Sequence, residues 1–200
     1  MASLTKMAII RAFAHLASTR TVDKITVKDI SELCGISRNT FYYHYKDIDV
    51  VLKEFMKYAT NEIIARIEGS GDDSRQAYRV IMEEMLDIRG LLLNLFRSVG
   101  NAEVRKYLED ADRVLFDHII ENLSREIPVS EADKRLISQV CQYACRGIML
   151  EWLERDEGKE GEAPLVELFM RVQYLFDGVI EEALRRSAEQ NAKNSGQNLK

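Results

Sequence analysis

The sequence predicts an all-α protein of about nine helices, in which an N-terminal three-helix helix-turn-helix domain precedes a larger all-helical domain. Three observations carry this expectation. Apolar residues recur at spacings of three and four along most of the 200 residues, which is the period of amphipathic helices. Only 2 Pro and 10 Gly interrupt them, and no stretch alternates apolar and polar residues as a half-buried strand would. Near the N-terminus, ITVKDISELCGISRNTFYYHY from Ile25 to Tyr45 places two short helical segments on either side of a glycine, the layout of two helices joined by a tight turn.

The first helix is expected over 5–18, where Ile9, Phe13 and Leu16 share one face at i, i+4 and i+7. Thr26 is placed to cap a second helix whose Val27, Ile30, Leu33 and Cys34 turn inward, and Gly35 supplies the positive φ that stops it. Ser37 caps a third helix almost at once. Asp47 can cap a longer fourth through Val50, Val51, Phe55 and Ala59 towards Ile67, since a carboxylate accepts from the free N–H groups of a first turn. Residues 68–74, EGSGDDS, hold no apolar side chain and read as a linker.

Beyond the linker every segment is helical in period. Helices are expected at 74–88, 91–99 and 102–125, the last with Val104, Leu108, Ala111 and Leu115 on one face. Pro128 closes that region, and Ser130 caps a helix to about 155 bearing Ile137, Cys141, Ala144, Ile148 and Trp152. Residues 156–163 form a charged loop. Pro164 opens one final helix, with Leu165, Leu168, Val172, Leu175, Val179 and Ala183 on a stripe that Phe169, Phe176 and Ile180 widen. The domains expected are 1–48 and 49–186, with 187–200 a polar, flexible tail. The wide apolar faces of the last two long helices fit a monomer core or a four-helix homodimer interface, with Gly147 and Gly178 permitting close approach.

Composition narrows the function classes. With 46% hydrophobic and 30% charged residues the chain is globular in type. Its longest apolar runs, such as 91–93, fall far short of the roughly 20 residues of a membrane span, and no secretory signal precedes the first helix, so a cytoplasmic location is expected. The three cysteines, Cys34, Cys141 and Cys145, lack CxxC spacing and read as small buried apolar residues rather than disulfide or zinc ligands. No Ser/His/Asp pattern, glycine-rich phosphate loop or metal-ligand cluster is present, so neither an enzyme nor a cofactor is expected. The net charge of −5 is unevenly divided: residues 1–60 hold nine Lys and Arg against six Asp and Glu (+3), and 61–200 hold nineteen against twenty-seven (−8). The positive end is the helix-turn-helix end, as attraction to phosphates requires.

In such a module the first helix braces across the DNA backbone and the start of the second meets base edges. Arg38, Asn39 and Thr40 occupy that start; Arg pairs with guanine, Asn with adenine, and Thr touches a thymine methyl. Tyr42 and His44 follow with donors suited to phosphate oxygens, and Thr26 and Lys28 offer further phosphate contacts at the start of the bracing helix. Phe41 is expected in the core. Packing against the core is the competing reading for Tyr43 or Tyr45.

The run VKDISELCGISRNTFYYHYKD resembles the N-terminal DNA-binding domain of TetR-family transcriptional regulators, through its Gly turn, its Thr-aromatic-Tyr run and its His-aromatic pair, over roughly residues 5–55. The resemblance implies a three-helix DNA domain, a helical C-terminal domain with an effector pocket, and a homodimer joined through the last two helices on a palindromic double-stranded operator. Carried over by position, the DNA contacts are Thr26, Lys28, Arg38, Asn39, Thr40, Tyr42, His44 and Lys46. The chain departs from the family at Ile48, where members carry a phosphate-binding lysine; Lys46 is the nearest substitute. The stretch YACRGIMLEW, 143–152, is similar to DhaS-like members of the family.

Asn94, Tyr107, His118 and Trp152 are the candidates for lining an effector pocket. Asn94 interrupts an apolar segment and needs amide partners, which a ligand or a backbone group can supply. For His118 a satisfied interior histidine is the competing reading, and for the two aromatics a place in the core. The function expected is a ligand-responsive regulator, most simply a repressor released by a small molecule, with a co-activator acting through protein contact as the alternative.

Overall fold

The computed structural model describes residues 2–70, 79–81, 83–84, 87–98, 102–156 and 163–197, and every regular element among them is helical. The all-α expectation holds. In chain order the helices are α1 (Ala2–Ala17), a 3-10 turn (Val22–Lys24), α2 (Val27–Cys34), α3 (Arg38–His44), α4 (Ile48–Ser70), α5 (Arg89–Arg97), α6 (Ala102–Leu123), α7 (Glu131–Asp156), α8 (Ala163–Leu175) and α9 (Val179–Gln197). Two compact units are built from them, Met1–Glu62 with Glu84–Ala111, and Ile63–Glu83 with Asp112–Lys200.

The first unit is more than three helices. Ile9 and Phe13 of α1, Ile30 of α2, Phe41 of α3 and Val51 and Leu52 of α4 are fully buried in one cluster that also takes in Leu91 and Leu95 of α5 and Val104 and Leu108 of α6. Three short helices bury too little apolar surface by themselves, and the added pair supplies the missing wall. Polar groups fix where that wall sits. A helix leaves its last four carbonyls without intrahelical donors, and in α1 each finds one: Ser18 N donates to Ala14 O at 3.0 Å, Ser18 Oγ to His15 O at 2.7 Å, Arg20 N to Leu16 O at 3.0 Å, and Asn94 Nδ2 of α5 to Ala17 O at 2.9 Å. One turn further along α5, Ser98 Oγ accepts from Val22 N at 3.1 Å and donates to Asn94 O at 2.7 Å. Helix α5 lies so close that a Cβ on Gly90 would stand 3.0 Å from the Ser18 carbonyl oxygen.

In the second unit polar ties join α6, α7 and α9. Ser130 Oγ accepts from Asp133 N at 3.1 Å and caps α7, while Ser187 Oγ of α9 donates to the Asp133 carboxylate at 2.6 Å. Arg146 of α7 donates to Asp112 of α6 at 2.9 and 3.1 Å. Lys134 of α7 reaches Glu121 of α6 at 2.9 Å. Ile67, Ile81, Leu115, Ile119, Ile120 and Leu184 are buried apolar residues of this unit.

Several expectations need correction. Helix α9 runs through position 187 to Gln197, and Ser187 and Asn191 both hydrogen bond to Asp133. The single last helix is two, broken at 176–178 where Gly178 takes φ 74, a left-handed residue that stops a helix. The linker starts later than 68, since α4 runs to Ser70; residues 71–78 lie outside the described residues. Leu33 is 51% exposed rather than inward, because eight residues give α2 only two turns and one buried stripe. The cysteines are half-buried rather than buried, and burial pushes the Cys145 thiol up to about 12.

Substituting Asn94→Leu removes the donor to Ala17 O inside a packed unit, which is expected to cost about 1–3 kcal/mol. A urea titration checks it: the midpoint falls with the slope unchanged, and an unaltered midpoint contradicts the proposed tie.

Candidate nucleic-acid interface

The helix-turn-helix is made by three local devices. Thr26 closes a capping box on α2: Asp29 N donates to Thr26 Oγ1 at 3.2 Å, and Thr26 N and Oγ1 both donate to Asp29 Oδ2, at 2.9 and 2.7 Å. These bonds from Thr26, helped by Arg20 3.5 Å away, hold the Asp29 carboxyl below its ordinary pKa. Gly35 then takes φ 65, and the next N–H, of Ile36, returns to Ser31 O at 3.0 Å. Ser37 caps α3 by accepting from Thr40 N at 3.0 Å, with the two hydroxyls 2.8 Å apart.

Burial of Phe41 decides which residues α3 presents. With Phe41 fully enclosed, positions two away on either side point outward, and Asn39 and Tyr43 are exposed, Tyr43 at 83%. Arg38 is exposed beside Tyr42, which is 56% exposed and stands edge-on to Phe41 at 5.6 Å. Neither Arg38 nor Asn39 spends its side chain on a hydrogen bond or ion pair among the described residues. Thr40 and His44 are half-buried at the margin of this face, His44 edge-on to Tyr43 at 5.0 Å. The structure therefore brings Arg38, Asn39, Thr40, Tyr42 and His44 together on one short helix.

The flanking candidates differ. Lys46 is exposed beyond α3, and Lys28 is exposed with Glu32 3.7 Å away. The Thr26 hydroxyl is already engaged with Asp29. Ile48 packs half-buried against the core of the first unit, and Asp47 Oδ1 accepts from Val50 N at 3.0 Å to cap α4. Burial, with Asp47 and Glu103 nearby, raises the pKa of Asp49.

Two residues of this surface escape the sequence reading. Tyr43 lies one turn after Asn39, and strict helical spacing would have found it. Lys6 of α1 reaches the ring of Tyr45, its Nζ 5.7 Å from the centroid; no local pattern links residues so far apart in the chain.

The four pocket candidates are divided. Asn94 gives its amide to Ala17 O, the backbone partner. Tyr107 packs half-buried against the core of the first unit, and burial with Asp49, Glu103, Asp47 and Asp110 raises its hydroxyl pKa. His118 belongs to the second unit, its Nε2 2.9 Å from Asn122 Nδ2 and 3.4 Å from Glu68 Oε1. Trp152 falls within α7, but its side chain lies outside the described residues. No described helix is long and apolar enough to cross a membrane, and no described His, Cys, Asp or Glu group could hold a metal ion.

A capped three-helix head with an outward third helix is the arrangement of a helix-turn-helix DNA-binding domain. Residues 9–55 match the bacterial regulatory proteins of the tetR family, and residues 72–174 match a family described as the transcriptional regulator C-terminal region. The chain belongs to the TetR family of transcriptional regulators. Its fold is similar to that of the dihydroxyacetone kinase operon activator DhaS, at 19% identity over 88% of this chain and 96% of that one, with a TM-score of 0.63. A TetR-family regulator from Streptomyces coelicolor aligns over 98% of this chain and 100% of its own at 14% identity and TM-score 0.60. The TetR-family repressor AlkX from Dietzia sp. aligns over 90% and 96% at 16% identity and TM-score 0.57. No curated protein matches the chain.

Removing the Thr26 hydroxyl tests the capping box. Thr26→Ala is expected to cost about 1 kcal/mol at neutral pH. Because the folded-state pKa of Asp29 is depressed, its contribution is present above the ordinary carboxylate pKa of about 4 and lost as pH falls through the folded value. The stability gap between Thr26→Ala and the parent should thus narrow in acid; urea midpoints that stay equally far apart at neutral and acid pH would refute this.

Proposed function

We propose that this protein is a ligand-responsive repressor that binds a palindromic operator as a homodimer and leaves it when a small molecule enters the helical C-terminal region. The observation that carries the reading is the outward tip of α3, where Arg38 and Asn39 stand exposed and uncommitted above a fully buried Phe41. Arg and Asn make paired hydrogen bonds to guanine and adenine edges in the major groove, and Tyr42, His44, Lys28 and Lys46 supply donors for flanking phosphates. Thr26 and Thr40 complete the set at its margins.

Exposed apolar surface supports the dimer. On α7, Leu136, Val140 and Tyr143 are exposed at spacings of four and three, and the exposed Gly147 continues the stripe. Met170, Tyr174 and Leu175 of α8, with Phe176 and Val179 beyond it, are exposed as well. Two copies joined through such faces would present two reading heads to half-sites about one helical turn apart. Release follows from differential binding: an effector favouring the conformation whose heads are wrongly spaced lowers operator affinity by about 1–3 kcal/mol of coupling. Of the four pocket candidates we assign His118, in the second unit, to the effector; Tyr107 packs on the core of the first unit, Asn94 is taken up by Ala17 O, and Trp152 stays a candidate on α7.

The second reading is an activator working through protein contact, favoured by the structural likeness to DhaS, which is named as an operon activator. Selection of bound fragments from random duplex DNA separates the two: a palindrome supports the repressor, and the absence of any enriched sequence supports the contact-dependent activator. Asn39→Ala and Tyr42→Ala are each expected to abolish specific binding to the selected fragment while the dimer survives, so undiminished affinity in both would sink the assignment. Val140→Asp should convert the dimer to monomers in analytical ultracentrifugation and weaken operator binding with it; a dimer of unchanged mass would place the interface elsewhere.

A further inference from the structure

We infer that Lys6 of α1 is a phosphate-contact residue of the DNA interface, held beside the C-terminal end of the reading helix by the ring of Tyr45. The inference rests on the DNA-reading assignment above and extends its footprint to a helix that a helix-turn-helix does not require for contact. Tyr45 is 3% exposed, and its ring is fixed by packing at 6.2 Å from Phe41. A buried ring is a rigid platform, and Lys6 Nζ lies 5.7 Å from its centroid, within the range of a cation–π contact.

The chemistry of that contact matters. A carboxylate partner would neutralise the ammonium and take up its donors, whereas a ring face orients the cation and leaves its N–H groups for another acceptor. Lys6 is exposed and makes no ion pair with a described residue. Tyr45 stands between His44 and Lys46, the two phosphate-facing groups at this end of α3. A third donor there suits a phosphate backbone, which is a closely spaced line of charge. Carboxylates stand nearby as well: Asp47, next after Lys46, caps α4, and Glu54 lies close enough to Tyr45 to add to burial in raising its hydroxyl pKa. Two carboxylates oppose the approach of phosphate, and Lys46 with Lys6 offsets them. The Tyr45 hydroxyl plays no part: it is buried without a protein partner, so the ring alone carries the interaction.

Fluorescence anisotropy tests the inference, using a duplex recovered by selection and a scrambled duplex of equal length. For Lys6→Gln the slope of log Kd against log salt should fall by about one between about 50 and 300 mM, with a several-fold loss of affinity on both duplexes. Lys6→Arg and Tyr45→Phe, which keep the cation and the ring, should retain the slope, as should Lys193→Gln on α9. Urea midpoints equal to the parent's confirm that each variant is folded. If Lys6→Gln keeps the parent slope while Asn39→Ala loses specific binding, the inference is overturned and the DNA-reading assignment stands. If the parent protein binds neither duplex, both fall.

Discussion

The C-terminal end of α1 sets a requirement that the rest of the first unit meets. Three of its last four carbonyls are satisfied by residues just beyond the helix, but the Ala17 carbonyl takes its donor from Asn94, 77 residues away in the chain. A buried carbonyl without a donor carries the full cost of its desolvation, so α5 must lie across that end. Ser98 repeats the arrangement on Val22 N, and Gly90 permits the backbones to come this close. Leu91 and Leu95 are thereby delivered to the core that holds Phe13 and Phe41. A DNA-reading head built this way includes a piece of chain beyond the helices that read DNA.

Within that frame, one buried aromatic determines what the protein shows to DNA. Phe41 faces the core, Ser37 and Gly35 set where α3 begins, and helical geometry then leaves Arg38, Asn39, Tyr42 and Tyr43 outward. The same geometry accounts for Ile48: its half-buried place against the core makes it a packing residue. Charge follows the division of labour, since the +3 of residues 1–60 gathers cations at the reading end of a chain whose net charge is −5. Phosphate attraction is local, so a chain of net negative charge can still hold cations at its reading end.

The second unit is tied internally by polar contacts, Ser187 to Asp133, Arg146 to Asp112 and Lys134 to Glu121, and it leaves apolar surface on α7, α8 and α9 outward. Helix α7 shows why: Ile137, Cys141 and Ile148 are half-buried, while Leu136, Val140 and Tyr143 emerge on another face. A helix apolar on two faces needs two partners. Packing within the unit half-buries one of those faces, and the proposed second copy of the chain would cover the other.

The sequence alone determined the helical class, the caps at Thr26, Ser37, Asp47 and Ser130, the Gly35 stop and the exposed tip of α3, because each is written within three or four residues of itself and hydrogen bonds at that range need no distant partner. It misjudged the last helix for the same reason: the apolar stripe keeps its phase through 176–178, and only the backbone at Gly178 reveals the break. Leu33 likewise fits a local apolar pattern and yet stands exposed. What tertiary structure decided is everything that depends on two remote segments meeting: the Asn94 amide on Ala17, the Ser187 hydroxyl on Asp133, and Lys6 over Tyr45. Periodicity specifies which face of a helix is apolar, whereas the partner for each polar group is chosen by packing of the whole chain, where an unsatisfied buried group is too costly to leave.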